Sequence, residues 1–287
     1  MSVRTGQSMV APLLQVVVKS PMAAGASDWE LAGWHSAPHL PTAEAEHAAL
    51  CSVLAAAGAD VVALGSDGRT GADSIYVHDP CLATDDGVLM LTPGKPSRRA
   101  EAPALADALA GAGIPIAGSI EWPATVEGGD LVWLDRRTLL VGRSLRTNAA
   151  GVAALRTWFA PRGVTVVEVP LPWGDGPAAC LHLMSLMSLL DDDLAVVHRP
   201  LLPVPLVERL LDAGVQLVDI AADEYDTQAC NVLALAPRDM VMLAGNERTA
   251  ERLEAVGCRV RLIDGAEMSR KGDGGPTCLT RPVWRRS

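Results

Sequence analysis

The chain of 287 residues has no C-x-x-C pair, no apolar run of membrane length and no excess of basic charge. Its six cysteines (Cys51, Cys81, Cys180, Cys230, Cys258 and Cys278) are scattered, so neither a zinc ribbon nor a disulfide frame is predicted. Without roughly 20 consecutive apolar residues no membrane helix is predicted. Against 24 basic residues stand 34 acidic ones, a formal net charge of −10. That sign is wrong for a nucleic-acid surface and mildly favours cationic ligands. Met1 to Val18 carry no charged start, apolar block and cleavage site, so export is not expected and a cytoplasmic location is. No G-x-G-x-x-G opens a helix, and Leu89 stands where the first glycine of a P-loop reaching Gly94-Lys95 belongs. The histidines show no H-E-x-x-H spacing. No cofactor and no metal are expected. Aromatics are skewed, with seven Trp and one Phe, and Arg outnumbers Lys 21 to 3; these biases carry no functional reading.

What is present is a core-forming composition, 49% hydrophobic and 20% charged, and an internal period. Five times an Ala/Leu-rich helical stretch ends at a glycine and a β-branched run follows: Gly58 before 60–64, Gly113 before 114–116, Gly163 before 164–169, Gly214 before 215–220, Gly257 before 259–263. The intervals between these glycines are 55, 50, 51 and 43 residues. Glycine suits the left-handed residue that stops a helix. Further strands are predicted at 74–81 with 88–91, 130–134 with 139–141, 194–197, and 232–235 with 241–243. A strand–strand–helix–strand unit of about 50 residues cannot cover its own apolar faces, so the copies must share a core. The pattern predicts an α/β chain of five ββαβ units around one axis. An ordinary α/β sheet whose helices end at glycine is the alternative. No linker or composition shift divides the chain, so one domain over 1–287 is expected. The stretch 42–57 reads as an amphipathic core-facing helix, with Leu50 and Leu54 on one face and Glu44 and Glu46 elsewhere.

Three segments carry chemistry. In Glu127-Gly128-Gly129-Asp130 two glycines allow a tight bend with two carboxylates near one spot; alone, it reads equally as a solvated turn. His182 sits between the Gly/Pro-rich loop 170–177 and an apolar run, a place for a catalytic imidazole or for one that only bonds the backbone. Cys278 follows Gly272-Asp273-Gly274-Gly275-Pro276-Thr277, an exposing loop that suits a nucleophile better than a buried thiol. Cys51 and Cys258, flanking helical pattern, fit the buried role. Together Cys278, His182 and Glu127 permit a thiolate, a proton shuttle and its orienter.

At these residues the chain resembles the guanidine-modifying pentein superfamily, and within it the dimethylargininases. Six segments occur in family order from about Thr42 to Cys278. Residues 73–79 are similar to the strand carrying the family's substrate-binding acids, and Pro96-Ser97-Arg98-Arg99-Ala100-Glu101 to its P-S-R-R-x-E. Glu127-Gly128-Gly129-Asp130 resembles its acid-G-G-D turn, and Val141 to Asn148 its V-G-x-S-x-R-T-N. His182-Leu183-Met184-Ser185 is similar to the dimethylargininase H-L-x-S/T, where arginine deiminases usually carry H-L-D. Residues 273–278 match D-G-x-x-T-C.

The resemblance implies the pentein fold and roles for the matched residues. Cys278 would attack the guanidinium carbon, His182 would move protons, and Glu127 would orient His182. Asp79 would hold the guanidinium, Arg98 and Arg146 would grip an amino-acid carboxylate, and Asp73 would meet the polar end of the substrate. Asp273 would support Cys278, and Asp130 would brace the glycine turn. His78 departs from the family, standing where an acid often precedes the Asp. The segment 21–41 would form the lid. The implied partner is a small cationic guanidino amino acid, with no nucleic acid and no membrane; a homo-oligomer is left open. Hydrolysis of Nω-methylated arginine to citrulline through a covalent Cys intermediate is the first expectation. Arginine deimination, amidino transfer or hydrolysis of another guanidino compound is the alternative. A non-catalytic ligand-binding ring is the reading from another class.

Overall fold

The computed structural model describes residues 4–176, 179 and 181–287; Cys180 and Pro177 lie outside the described residues. Each repeat is an antiparallel hairpin, then a helix, then a third strand parallel to the hairpin's second. One unit runs Cys81–Thr84, Gly87–Met90, helix Glu101–Gly111, Ile116–Ser119. The next runs Leu131–Asp135, Thr138–Arg143, helix Ala149–Phe159, Thr165–Pro170. Then come Met187–Asp191, Leu194–Val197, helix Val204–Asp212, Gln216–Asp219. Another runs Leu233–Ala236, Asp239–Leu243, helix Glu247–Ala255, Arg259–Ile263. The remaining unit joins both chain ends. Leu13–Lys19, helix Leu40–Ala56 and Asp60–Leu64 take their first hairpin strand from Arg281–Arg286, with Arg281 opposite Val17.

The five apolar clusters of the core each bridge two neighbouring units, and together they return to the start. Val17 and Val283 pack with Val88, Leu89 with Leu139, Leu140 with Ala195, Val196 with Met242, and Val241 with Val16. No unit closes its own core, as its size requires. The expected ring of five ββαβ units is present. Gly58, Gly113, Gly163, Gly214 and Gly257 all have positive φ, from 65° to 91°, as helix stops in the left-handed region require. No helix among the described residues is long and apolar enough to cross a membrane.

Some expectations need correction. Residues 74–81 form no strand; i to i+3 bonds (Ser74 N to Gly71 O, Tyr76 N to Asp73 O) wind Ala72–Ile75 into a 3-10 turn, and the strand begins only at Cys81. Val77 and its neighbours are buried on all sides, so apolar character there reports burial and not a strand period. Strands Leu13–Lys19 and Met187–Asp191 are buried along most of their length and carry no clean alternation from which to predict them. Glu46 is not on a solvent face: it is buried and accepts the backbone N–H groups of Glu267 and Met268. A buried carboxylate with such donors caps a loop.

Candidate active site

The ring positions chemistry through its connectors. Each segment that leaves the third strand of one unit for the hairpin of the next supplies a residue to one place. Asp79 lies between Leu64 and Cys81, Glu127 between Ser119 and Leu131, and His182 between Pro170 and Met187. Asn231 lies between Asp219 and Leu233, and Cys278 between Ile263 and Arg281. Hydrogen bonds between connectors hold the set together. His78 N–H donates to Cys278 O at 3.3 Å and Gly128 N–H to Asp79 O at 2.9 Å. Leu183 N–H donates to Asp130 Oδ1 at 3.0 Å.

His182 Nε2 meets Glu127 Oε2 at 2.9 Å, with the Glu127 side chain fully buried. Burial alone would push the Glu127 carboxyl up; its bond to His182 and that ring's charge outweigh burial and hold it below the usual carboxylate range. Asp79 Oδ1 accepts Gly129 N–H at 3.0 Å and Oδ2 accepts Arg98 Nη1 at 2.6 Å. Burial again raises this carboxyl, and the Arg98 guanidinium, then His182, hold it well below its usual range. Asn231 Nδ2 donates to Cys278 Sγ at 3.1 Å while Asn231 Oδ1 accepts Thr277 N–H at 3.0 Å. Nothing in Cys230-Asn231-Val232 singled Asn231 out, because its relation to the thiol exists only across 47 residues.

The glycine turn is used for close approach. A Cβ on Gly129 would stand 2.3 Å from His182 Nδ1, so only glycine lets the imidazole lie against the turn. Gly129→Ala is therefore expected to displace His182 and lower kcat by about a hundredfold, since displacements near 1 Å cost that much. Steady-state kinetics alongside a melting curve checks this; an unchanged kcat would mean the ring does not work from this position. Asp130 accepts Ser144 Oγ and Thr147 Oγ1, both at 2.6 Å, and braces the turn.

Arg98 is placed differently from the carboxylate grip expected of it. Its guanidinium is buried, with Nε on Glu101, Nη1 on Asp79, and Nη2 on Glu101 and the carbonyls of Asp73 and Tyr76. A buried guanidinium must satisfy its N–H groups within the protein, and those spent here position Asp79. Arg146 does reach the site: its side chain is 15% exposed and Nη1 lies 3.5 Å from Glu127 Oε1. Asp73 accepts Trp34 Nε1 at 3.0 Å and Lys95 Nζ at 2.5 Å, and Lys95 also donates to Ala32 O. Asp273 meets His35 Nε2 at 2.8 Å in an exposed pair. Both acids thus anchor the 21–41 segment, whose apolar and polar residues gave no sequence signal for these partners.

The His78 ring takes no part in the acid cluster; Nδ1 lies 3.0 Å from Thr280 O. Burial, and then nearby Arg281, pushes this imidazole down to about 3 from an ordinary 6.5. The neutral ring is the folded form, so its contribution to stability is complete above about pH 6.5 and is lost as pH falls toward 3, by up to about 1.4 kcal/mol per pH unit. His78→Gln should flatten this acid limb in urea titrations at several pH values; parallel curves for the two proteins would contradict the assignment.

Asp79, Glu127 and His182 bring one ligand atom each within 4.8 Å of one another, a group able to attract a cation. The carboxylates already accept from His182, Arg98 and Gly129, and the lone pairs that remain suit a flat N–H donor array such as a guanidinium.

Comparison with known proteins points to one family. The profile of the family described as "N,N dimethylarginine dimethylhydrolase, eukaryotic" matches residues 35–285. A protein of Streptomyces coelicolor named N(G),N(G)-dimethylarginine dimethylaminohydrolase is 34% identical over 212 residues, 72% of this chain and 73% of its own. An arginine deiminase of Listeria welshimeri is 26% identical over 73% of this chain and 61% of its own. A solved dimethylarginine dimethylaminohydrolase of Pseudomonas aeruginosa, a mutant in complex with citrulline, superposes with a TM-score of 0.78 at 25% identity, covering 94% of this chain and 98% of its own.

Proposed function

The chain belongs to the dimethylarginine dimethylaminohydrolase family, and from that membership we propose that it hydrolyses Nω-methylated L-arginine, asymmetric dimethylarginine or monomethylarginine, to citrulline and a methylamine. The observation that carries the reading is the buried His182–Glu127 pair beside Asp79, bonded through the connectors to Cys278. The paired carboxylates favour a guanidinium, and the imidazole is a group able to move the protons that its hydrolysis requires.

In this reading Asp79 accepts N–H groups of the guanidinium and fixes its plane, while Arg98 and Glu101 hold Asp79 still. The Cys278 thiolate adds to the central carbon, forming a C–S bond. His182 protonates the methylamine nitrogen, the C–N bond breaks, and an S-alkylthiouronium remains on Cys278. His182, now neutral, takes a proton from water as the oxygen adds to the same carbon. Collapse breaks the C–S bond and returns the sulfur as thiolate, the hydroxyl proton passes to solvent where the released amine takes it up, and citrulline leaves. Glu127 keeps Nε2 of His182 in place and stabilises the imidazolium that forms and discharges in each cycle. Arg146 faces the substrate carboxylate, and Asp73 and Asp273 hold the cover through Trp34, Lys95 and His35. The reaction calls on no cofactor, and a cytoplasmic location fits its amino-acid substrate.

Citrulline release from asymmetric dimethylarginine, monomethylarginine and arginine tests the reading. Turnover of the two methylated substrates in preference to arginine is the expected result. Preference for arginine would favour deimination, the activity named for the Listeria relative; Met184, in place of the deiminase Asp, argues for the methylated substrates. No citrulline from any of the three would sink the proposal.

A further inference from the structure

A narrow cavity, with room for about one water-sized particle, is lined by the first hairpin strand of all five units and therefore lies on the axis of the ring. It sits behind the connectors, reaching His78 beside Asp79 and Thr277 beside Cys278. Two arginines of one strand, Arg281 and Arg285, stand on its wall, 4% and 2% exposed. Arg285 spends Nη1 on Ala11 O and Nη2 on Ala234 O, and Arg281 spends Nη2 on His78 O. The Nε of each, and the hydroxyl of Thr277, are buried with no hydrogen-bond partner among the described residues. Nor does any carboxylate among the described residues form an ion pair with either guanidinium. Asp79 acts on Arg281 from a distance, but its oxygens are bonded to Arg98 and Gly129. Cys81, next to Arg281, brings no charge, since burial pushes its thiol up to about 11.

The Cys278 sulfur, where anionic, also acts on Arg281, but no anion is bonded to either guanidinium, and two like charges so placed in a low-dielectric interior are costly. Burial, and then repulsion by Arg281, pushes the Arg285 guanidinium down to about 9. We propose that the axial cavity is a binding site for a small inorganic anion of the halide class, held by the guanidinium groups of Arg281 and Arg285. Arginine grips carboxylate and phosphate with two parallel N–H groups. Here the terminal nitrogens of Arg285 are already committed, and single Nε–H donors on separate side chains suit a compact spherical ion. Thr277 adds a hydroxyl donor. The His78 ring bonds Thr280 O through Nδ1, so its Nε2 presents a lone pair and is not a ligand. The ion would offset the charge that holds Arg281 against the His78 carbonyl, under the floor of the proposed active site. This inference does not depend on the catalytic reading.

The test compares melting of the wild-type protein in sodium chloride and in sodium gluconate at equal ionic strength. Chloride at about 200 mM is expected to raise Tm saturably by about 3 °C over gluconate. The difference should vanish in Arg285→Met, and crystals grown in sodium bromide should show an anomalous peak beside Arg281 and Arg285. A chloride effect undiminished in the variant would place the ion elsewhere and overturn the proposal. So would bromide crystals without that peak, a result that stands even if the variant does not fold.

Discussion

Cys278→Ser is expected to lower citrulline release from a methylated arginine by about 10⁴-fold or more, with Tm within about 2 °C of wild type. The size of the effect follows from the nucleophile. A thiol ionises within reach of neutral pH and its anion attacks carbon readily, whereas a serine hydroxyl needs a base to remove its proton during attack. The small change in stability follows from the surroundings. Cys278 is only half-buried, and Asn231 Nδ2, which donates to the sulfur at 3.1 Å, can donate to an oxygen in its place. Asn231 stays anchored by Thr277 N–H. Substrate should still bind the variant, so equilibrium binding of methylarginine measured by calorimetry separates lost chemistry from lost recognition. Activity within tenfold of wild type would move the nucleophile to another group.

Glu127→Gln is expected to lower kcat by about 10³-fold with KM changed by less than about threefold. Glutamine matches the carboxylate in shape but is neutral, and its amide presents either an acceptor or a donor to His182 Nε2. The charge that favours imidazolium is lost in both orientations. Glu127 also lies 3.5 Å from Arg146 and accepts Lys95 N–H at 3.2 Å, contacts that the amide oxygen partly retains, so the change should fall on kcat. The double variant with Cys278→Ser should be no slower than Cys278→Ser alone, because the pair acts as a unit with the nucleophile. A kcat within tenfold of wild type would remove Glu127 from the proposed machinery.

Much of the ring could be read from local pattern. Helix stops are written in single glycines, and Gly58, Gly113, Gly163, Gly214 and Gly257 all carry the positive φ that their positions demand. Strands with an exposed face, such as Asp60–Leu64 and Arg259–Ile263, stood out because their pattern is bounded by turns. Strands Leu13–Lys19 and Met187–Asp191, buried along most of their length, did not, since they carry no clean alternation to read. The stretch 74–81 reads as strand although it opens in the 3-10 turn Ala72–Ile75 and the strand begins only at Cys81, because burial, not period, sets its composition.

Residue types and order along the chain by themselves determined the five-unit ring, the helix stops and the candidates Cys278, His182, Glu127 and Asp79, because these depend on local conformation and on matched segments. Tertiary structure alone decided which groups are already spent. It committed Arg98 to Asp79 and Glu101, gave Asp73 to Trp34 and Lys95, set Asn231 on the Cys278 sulfur, and left Arg281 and Arg285 facing an axial cavity. Hydrogen bonds and charges act through space over a few ångströms, and connectors from five units meet at distances that no interval along the chain records.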